Sequence, residues 1–195
     1  FTLDGYLRTL VYQDSAQHAH FAIEGTLNSI SVALAPYPVG ECRAEDLALD
    51  DIYCLAEPSG LGAPYFRGNI GIRFSRPVEH LTQRQVVSLL LEAVIFRVAQ
   101  ILEDFHRESA LERVYLSGGL SELTCLQQGI ARCVPFAVYR LVQPESSLRG
   151  AALLAAGMAP AYNRESERIE ITGNAGALPE KYRHWKKWLD DLLVS

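Results

Sequence analysis

Apolar residues recur at intervals of three and four along the segment from 82 to 106. This spacing places them on one side of an α-helix. Thr82 and Gln85 introduce the segment as a capping box, in which Thr accepts a free backbone N–H and Gln reaches back to the cap residue. The sequence therefore predicts one long amphipathic helix that ends near His106.

Short runs of β-forming residues open the chain. Three strands are predicted at Phe1–Leu3, Tyr6–Tyr12 and His18–Ile23. Asp4-Gly5 between the first two favours a type I′ turn, because both central residues of that turn need positive φ. A strand of three residues before its hairpin is short, so we expect the sequence to be the tail of a longer protein.

Strand and helix patterns alternate after this opening. The further predicted elements are a short helix within 24–35, strands at 52–56, 113–116 and 136–140, and helices at 122–133, 148–158 and 180–193. The segment 163–176 is expected to be a mobile surface link. Strands that alternate with helices predict an α/β fold, a mixed sheet with helices on both faces.

The composition excludes several classes of protein. The 195 residues are 49% hydrophobic and 21% charged, with a net charge of −5, which excludes disordered, collagen-like and coiled-coil chains. The negative net charge disfavours nucleic-acid binding, because contacts with phosphates need clustered Lys and Arg side chains. The uncharged stretch 26–40 is too short for a membrane span, so we expect no membrane association. The four cysteines (Cys42, Cys54, Cys125, Cys133) have no zinc or disulfide spacing, and a cytoplasmic location is expected.

The strongest local candidate for a binding site is Ser117-Gly118-Gly119, between a predicted strand and a predicted helix. Two glycines let the backbone approach a ligand closely, and the N–H groups of a following helix attract anions. The spacing matches neither a Walker loop nor G-x-G-x-x-G. A tight strand–helix turn with no ligand is the competing interpretation.

Other candidates have a structural interpretation beside the functional one. The loop 60–65 follows a predicted strand, where ligands of α/β sheets collect, but a packed turn explains it equally well. His18 and His20 alternate on a strand with no recognised partner, so a solvated face is favoured over a metal site. Glu92 interrupts the apolar helix and predicts a buried hydrogen bond.

Two helical patterns suggest packing rather than chemistry. Tyr182, Trp185 and Trp188 form a docking stripe at helical spacing, and the small residues 150–152 permit close approach of a helix to a sheet. The spacing assigns no catalytic residue and no metal ligand.

Together these segments resemble the C-terminal lobe of the FGGY carbohydrate kinases, most closely the glycerol kinase branch. The matching stretches, in family order, are 21–25, 60–65, 91–93, 117–119, 150–152 and Tyr182 with 185–187. The resemblance covers nearly all of this chain but only about half of a family member. It implies that residues 1–195 form the C-terminal nucleotide-binding lobe, with the ribonuclease H-like fold of the actin-like ATPases.

The resemblance also implies ligands and partners. ATP and Mg²⁺ would occupy the cleft between this lobe and an N-terminal lobe, with a sugar or polyol as the phosphoryl acceptor. Homo-oligomers are possible. The turn Gly118-Gly119 would line the nucleotide, Gly119 matching the glycine that contacts it. The catalytic carboxylate would lie upstream of Phe1.

Several positions depart from the family pattern. The family's contacting glycine, glutamine and asparagine, and the Asp before its glycine pair, correspond in this sequence to Ser31, Ala35, Leu123 and Ser117. Two hypotheses therefore remain open. The chain is the nucleotide-binding lobe of an ATP-dependent sugar or polyol kinase, inactive on its own, or it is a kinase-like lobe kept for binding or assembly without catalysis. Leu123 and Ala35 favour the second, because neither side chain can hydrogen-bond.

Overall fold

Five helices and seven strands make up the part of the chain that the computed structural model describes, which is residues 2–14, 16–142, 145–158, 165–173 and 176–194. The helices are α1 (Ile30–Leu34), α2 (Gln83–Ser109), α3 (Thr124–Cys133), α4 (Ser146–Ala155) and α5 (Ala177–Val194). The strands are β1 (Leu7–Gln13), β2 (Ala19–Glu24), β3 (Cys54–Leu55), β4 (Arg73–Phe74), β5 (Arg113–Leu116), β6 (Ala137–Leu141) and β7 (Ser166–Arg168).

The described strands form three small sheets rather than one. β1 pairs with β2, and β3 pairs with β4, both antiparallel. The third sheet has the order β5-β6-β7 and is mixed, since β5 is parallel to β6 and β7 is antiparallel to it. The α/β class is confirmed, but the expected single sheet is wrong. Among the described residues, no strand pairing joins the hairpin β1–β2 or the pair β3–β4 to the third sheet.

The start of the chain differs from its prediction. Residues 2 and 3 form no strand, and the Tyr6 N–H donates to the Leu3 carbonyl across a turn (3.1 Å). Gly5 has φ +78° while Asp4 keeps negative φ, so the turn is not type I′. A Cβ on Gly5 would lie 2.5 Å from Cβ of Pro64, which shows that the opening segment crosses the loop 57–66 instead of pairing with β1.

The long central helix is confirmed. α2 begins after the predicted capping box, with the Gln85 N–H donating to Thr82 Oγ1 (3.3 Å) and the Thr82 N–H donating to Gln85 Oε1 (3.0 Å). It is long and apolar enough to cross a membrane by length and composition. However, 72% of its most apolar window is buried inside the fold. Its apolar surface is thus accounted for by the core of the domain.

The aromatic stripe of α5 docks on this helix, as predicted. Trp185 is fully buried, its indole N–H donates to the Cys54 carbonyl (2.8 Å), and its ring lies 5.6 Å from that of Phe96 on α2.

Glu92 has the partners that its burial requires. The Lys181 ammonium lies 2.5 Å from one carboxylate oxygen, and the Ala48 N–H donates to the other. Burial raises the pKa of Glu92, and Lys181 opposes that rise.

Two predictions for the C-terminal half are wrong. The segment predicted as a mobile link contains β7, whose Arg168 pairs with Tyr139 of β6, while 163–164 and 174–175 lie outside the described residues. The small residues 150–152 do not pack closely against a sheet. No residue of α4 is buried, and a Cβ on Gly150 would meet open space.

Candidate functional site

The glycine turn lies directly after β5. Gly118 has φ +89°, a backbone conformation that favours glycine, and residues Gly119–Glu122 form a single 3-10 turn. A Cβ on either Gly118 or Gly119 would meet no atom within 4 Å, so both glycines border open space. The backbone is therefore accessible here, as the two-glycine motif predicts.

The helix that follows starts later than predicted. α3 begins at Thr124 rather than near Glu122, because Leu123 is extended (ψ 109°) and separates the 3-10 turn from the helix. The Ser121 hydroxyl donates to the Gly118 carbonyl (2.6 Å), and Gln127 Nε2 donates to the Ser121 carbonyl (2.6 Å). These bonds fix the turn to the first part of α3.

A cavity of about 440 Å³ opens beside this turn. One wall is formed by Gly40 and residues 42–45, and the other by residues 122–124. Gln128 and Thr172 close the cavity, and the Thr172 N–H donates to Gln128 Oε1 (3.0 Å). Its volume lies within the usual range for pockets that hold small ligands.

Of the four predicted binding residues, the structure brings only Leu123 into the lining of the cavity. Gly118 and Gly119 lie five and four residues before Leu123 in the chain, and neither lines the cavity. Ser31 lies on the exposed side of α1, and neither it nor Ala35 lines the cavity. Much of the remaining lining comes from the segment 42–45, which no sequence motif indicates.

The charges at the cavity are mixed. Its lining carries one cation, Arg43, and two carboxylates, Glu45 and Glu122. Arg140 on β6 pairs with Glu122 (3.0 Å) and with Glu167 (2.9 Å). Glu122 is thereby partly compensated, but the lining retains more negative than positive charge. Such a cavity suits an uncharged or weakly polar group better than a phosphate.

The loop 57–66 is a packed structural element. Glu57 and Arg97 are both almost completely buried and form an ion pair (2.8 Å). The second oxygen of Glu57 accepts the N–H groups of Asn28 (2.9 Å) and Gly62 (2.8 Å), and Arg97 Nη2 donates to the Ala63 carbonyl (2.5 Å). These bonds hold the loop against α2, which supports the packed-turn interpretation.

The two histidines have a carboxylate partner that the sequence interpretation overlooked. His18 Nδ1 and His20 Nε2 each lie 3.3 Å from Asp14 Oδ2. Hydrogen bonds, first from the His18 backbone and then from both rings, lower the pKa of Asp14. Among the described residues, no group of three or more His, Cys, Asp or Glu side chains is placed to hold a metal ion.

The fold is one that solved carbohydrate kinases share. The chain superimposes on Plasmodium falciparum glycerol kinase with ADP at a TM-score of 0.73 (14% identity, 95% of this chain and 42% of that one). On the ligand-bound xylulose kinase from Lactobacillus acidophilus the TM-score is 0.68 (14% identity, 100% of this chain and 44% of that one). Both matches concern the fold alone.

Sequence comparison gives the family. Residues 39–159, more than half of the chain, match the C-terminal domain of the FGGY family of carbohydrate kinases. Glycerol kinase from Acidiphilium cryptum is 27% identical over 207 residues, covering 94% of this chain and 41% of the relative. The chain belongs to the FGGY family, and it spans less than half the length of the curated relatives it matches.

Proposed function

We propose that this chain is the nucleotide-binding lobe of an ATP-dependent kinase that phosphorylates a sugar or polyol, glycerol being the first candidate. The observation that carries the proposal is the open Gly118-Gly119 turn beside a ligand-sized cavity in a member of the FGGY family. The glycerol kinases among its relatives support the choice of substrate. In this proposal the lobe has the ribonuclease H-like fold and works in the cytoplasm.

The residues of the turn have distinct roles in this proposal. Gly118 and Gly119 allow the backbone to approach adenosine, because no side chain occupies the space above them. Leu123 offers an apolar surface to the adenine ring and no hydrogen bond to the ribose. The phosphates would point away from Glu122 and Glu45, toward a second lobe that supplies the catalytic carboxylate.

Magnesium would not be held by this lobe alone. The described residues contain no cluster suited to a metal ion, so Mg²⁺ would accompany the nucleotide on its phosphate oxygens. When bound, the ion neutralises the charge that develops on the transferred phosphoryl group.

Isothermal titration calorimetry with ADP tests the site. We expect weak binding by the wild-type chain, with a Kd of about 1 mM, and at least about tenfold weaker binding by Gly119→Val. The Cβ of the valine would meet no atom within 4 Å, so we expect the loss to reflect a blocked ligand rather than a clash. Gly68→Val is the matched control, since a Cβ there also meets nothing within 4 Å and Gly68 lies against Gly60, in a different loop from the Gly118-Gly119 turn. Equal ADP affinity of wild type and Gly119→Val would show that the nucleotide is not held at this turn.

The second candidate function is a kinase-like lobe that has lost catalysis and serves binding or assembly. Leu123 is the observation in its favour. It lines the cavity at the position where the family places an asparagine, and the surrounding lining is net negative. A wild-type chain that fails to bind ADP at any concentration tested would favour this candidate.

A further inference from the structure

Two cysteines that are distant in sequence lie side by side in the core. The Sγ atoms of Cys42 and Cys125 are 2.8 Å apart, although 83 positions separate the two residues. Cys42 lies on the 42–45 wall of the cavity, and Cys125 is the second residue of α3. The pair therefore connects the 42–45 segment to the start of α3, and both of these contribute residues to the lining of the cavity.

The surroundings of the pair combine burial with one route of access. Cys125 is 1% exposed and Cys42 is 7% exposed. Cys42 lines the cavity and Cys125 does not, so a small molecule in the cavity contacts Cys42 before it can reach Cys125. Ser88 Oγ lies 3.6 Å from the same sulfur and is the one hydroxyl in hydrogen-bonding contact with it among the described residues.

We propose that Cys42 and Cys125 form a redox modification site, at which a hydroperoxide converts the two thiols reversibly into a disulfide. This role is independent of nucleotide binding. The step needs only a small closing movement, because an S–S bond is about 2.05 Å long. In a reducing compartment such a pair is a transient, redox-sensing disulfide rather than a structural one.

The chemistry balances in two steps. The Cys42 thiolate attacks one peroxide oxygen and breaks the O–O bond, which gives a sulfenic acid and hydroxide that is protonated to water. The Cys125 sulfur then attacks the Cys42 sulfur, the S–O bond breaks, and a second water leaves. The two thiols lose two electrons in total, and the peroxide gains them. A dithiol reductant returns both residues to thiols.

The two sulfurs are not equivalent. Cys42 lines the cavity and Cys125 does not, so an oxidant in the cavity meets Cys42 first. The hydrogen bond between the two sulfurs lowers the pKa of Cys42, against the opposing effect of burial. The same hydrogen bond, together with burial, raises the pKa of Cys125. Cys42 is therefore the thiol that ionises first and meets the oxidant, and Cys125 is the resolving thiol.

The other two cysteines provide matched controls. Burial raises the pKa of Cys133 to about 12 and raises that of Cys54 well above its ordinary value. Neither has a second cysteine as a hydrogen-bond partner in the described structure. Both should remain thiols under conditions that oxidise Cys42.

The test is mass spectrometry of the purified chain after mild treatment with hydrogen peroxide. We expect a species lighter by two hydrogen atoms and a non-reduced peptide map in which Cys42 is linked to Cys125. Dithiothreitol should reverse both changes. Because the bond closes a long loop, the Tm of the oxidised chain should rise by about 5–10 °C.

Single variants sharpen the test. Cys42→Ser and Cys125→Ser should each abolish the mass loss, whereas Cys54→Ser and Cys133→Ser should retain it. The wild-type peptide map needs no variant and decides the matter even if a substitution prevents folding. Recovery of Cys42 and Cys125 unlinked after oxidation, as thiols or as separate oxyacids, would overturn the proposal, as would linkage of either to Cys54 or Cys133.

Discussion

At the scale of single residues, Leu123 is the predicted binding residue that lines the cavity, and in the proposed function it would contact the nucleotide. It is half-buried and lines the cavity beside the glycine turn. The family resemblance implies an asparagine at this position. An apolar side chain contacts adenine but leaves a ribose hydroxyl without a partner. A missing hydrogen bond to a group that is desolvated on binding costs about 1–3 kcal/mol.

Restoring that hydrogen bond should strengthen binding. We predict that Leu123→Asn lowers the Kd for ADP by about fivefold to tenfold, a gain consistent with one added hydrogen bond. Calorimetry on wild type and variant measures it. Leu120→Asn serves as a control, since Leu120 is an exposed residue of the same turn that does not line the cavity. If Leu123→Asn binds ADP no better than wild type, the adenosine does not lie against this residue.

The ion pair between Glu57 and Arg97 is the residue-scale feature on which the loop 57–66 depends. Both side chains are 1% exposed, so removal of one charge leaves the other buried with no counter-ion. Arg97→Met keeps the apolar volume but also removes the hydrogen bond to the Ala63 carbonyl.

We predict that Arg97→Met lowers the free energy of unfolding by about 3–5 kcal/mol. Urea denaturation followed by circular dichroism measures the loss. Arg84→Met is the matched control, because Arg84 pairs with Asp46 at the surface and its side chain is 48% exposed. The control should unfold at nearly the same urea concentration as wild type. Equal midpoints for Arg97→Met and Arg84→Met would show that the buried pair does not stabilise the fold.

At the scale of elements, the sequence predicts best those whose signals are local. α2 is predicted because its capping box and its apolar spacing both lie within the helix itself. β5, β6 and α5 also lie where the pattern places them, to within a few residues. β7 is missed because Ser166–Arg168 is short and polar, and it becomes a strand only by pairing with β6.

The candidate site also has one part that local sequence signals predict and one part that depends on long-range packing. The Gly118-Gly119 turn is visible in the sequence, because two glycines between a strand and a helix carry a local conformational signal. The opposite wall has no such signal. Arg132 on α3 donates to the Ala44 carbonyl (3.0 Å), a contact across 88 positions that brings residues 42–45 to the cavity. The adjacency of Cys42 and Cys125 arises from the same long-range packing.

At the scale of the whole molecule, the chain corresponds to 41% of the Acidiphilium cryptum glycerol kinase and to 42% and 44% of two solved kinases that share its fold. Phosphoryl transfer needs groups that hold the acceptor hydroxyl in line with the γ-phosphate and groups that neutralise the transferred charge. The lining of the cavity offers one cation against two carboxylates, and its other residues are apolar or neutral. We therefore expect this lobe to contact a nucleoside and to depend on a second lobe for the transfer of its phosphate.

We predict that purified residues 1–195 do not phosphorylate glycerol or xylulose, even when ADP binding is measurable. A coupled assay of ADP formation, with saturating ATP and Mg²⁺ and each acceptor in turn, tests this, and an intact glycerol kinase is the positive control. We expect a rate equal to that of the buffer blank. Acceptor-dependent ADP formation that disappears in Gly119→Val would contradict the prediction, because it would place the whole catalytic machinery within this chain.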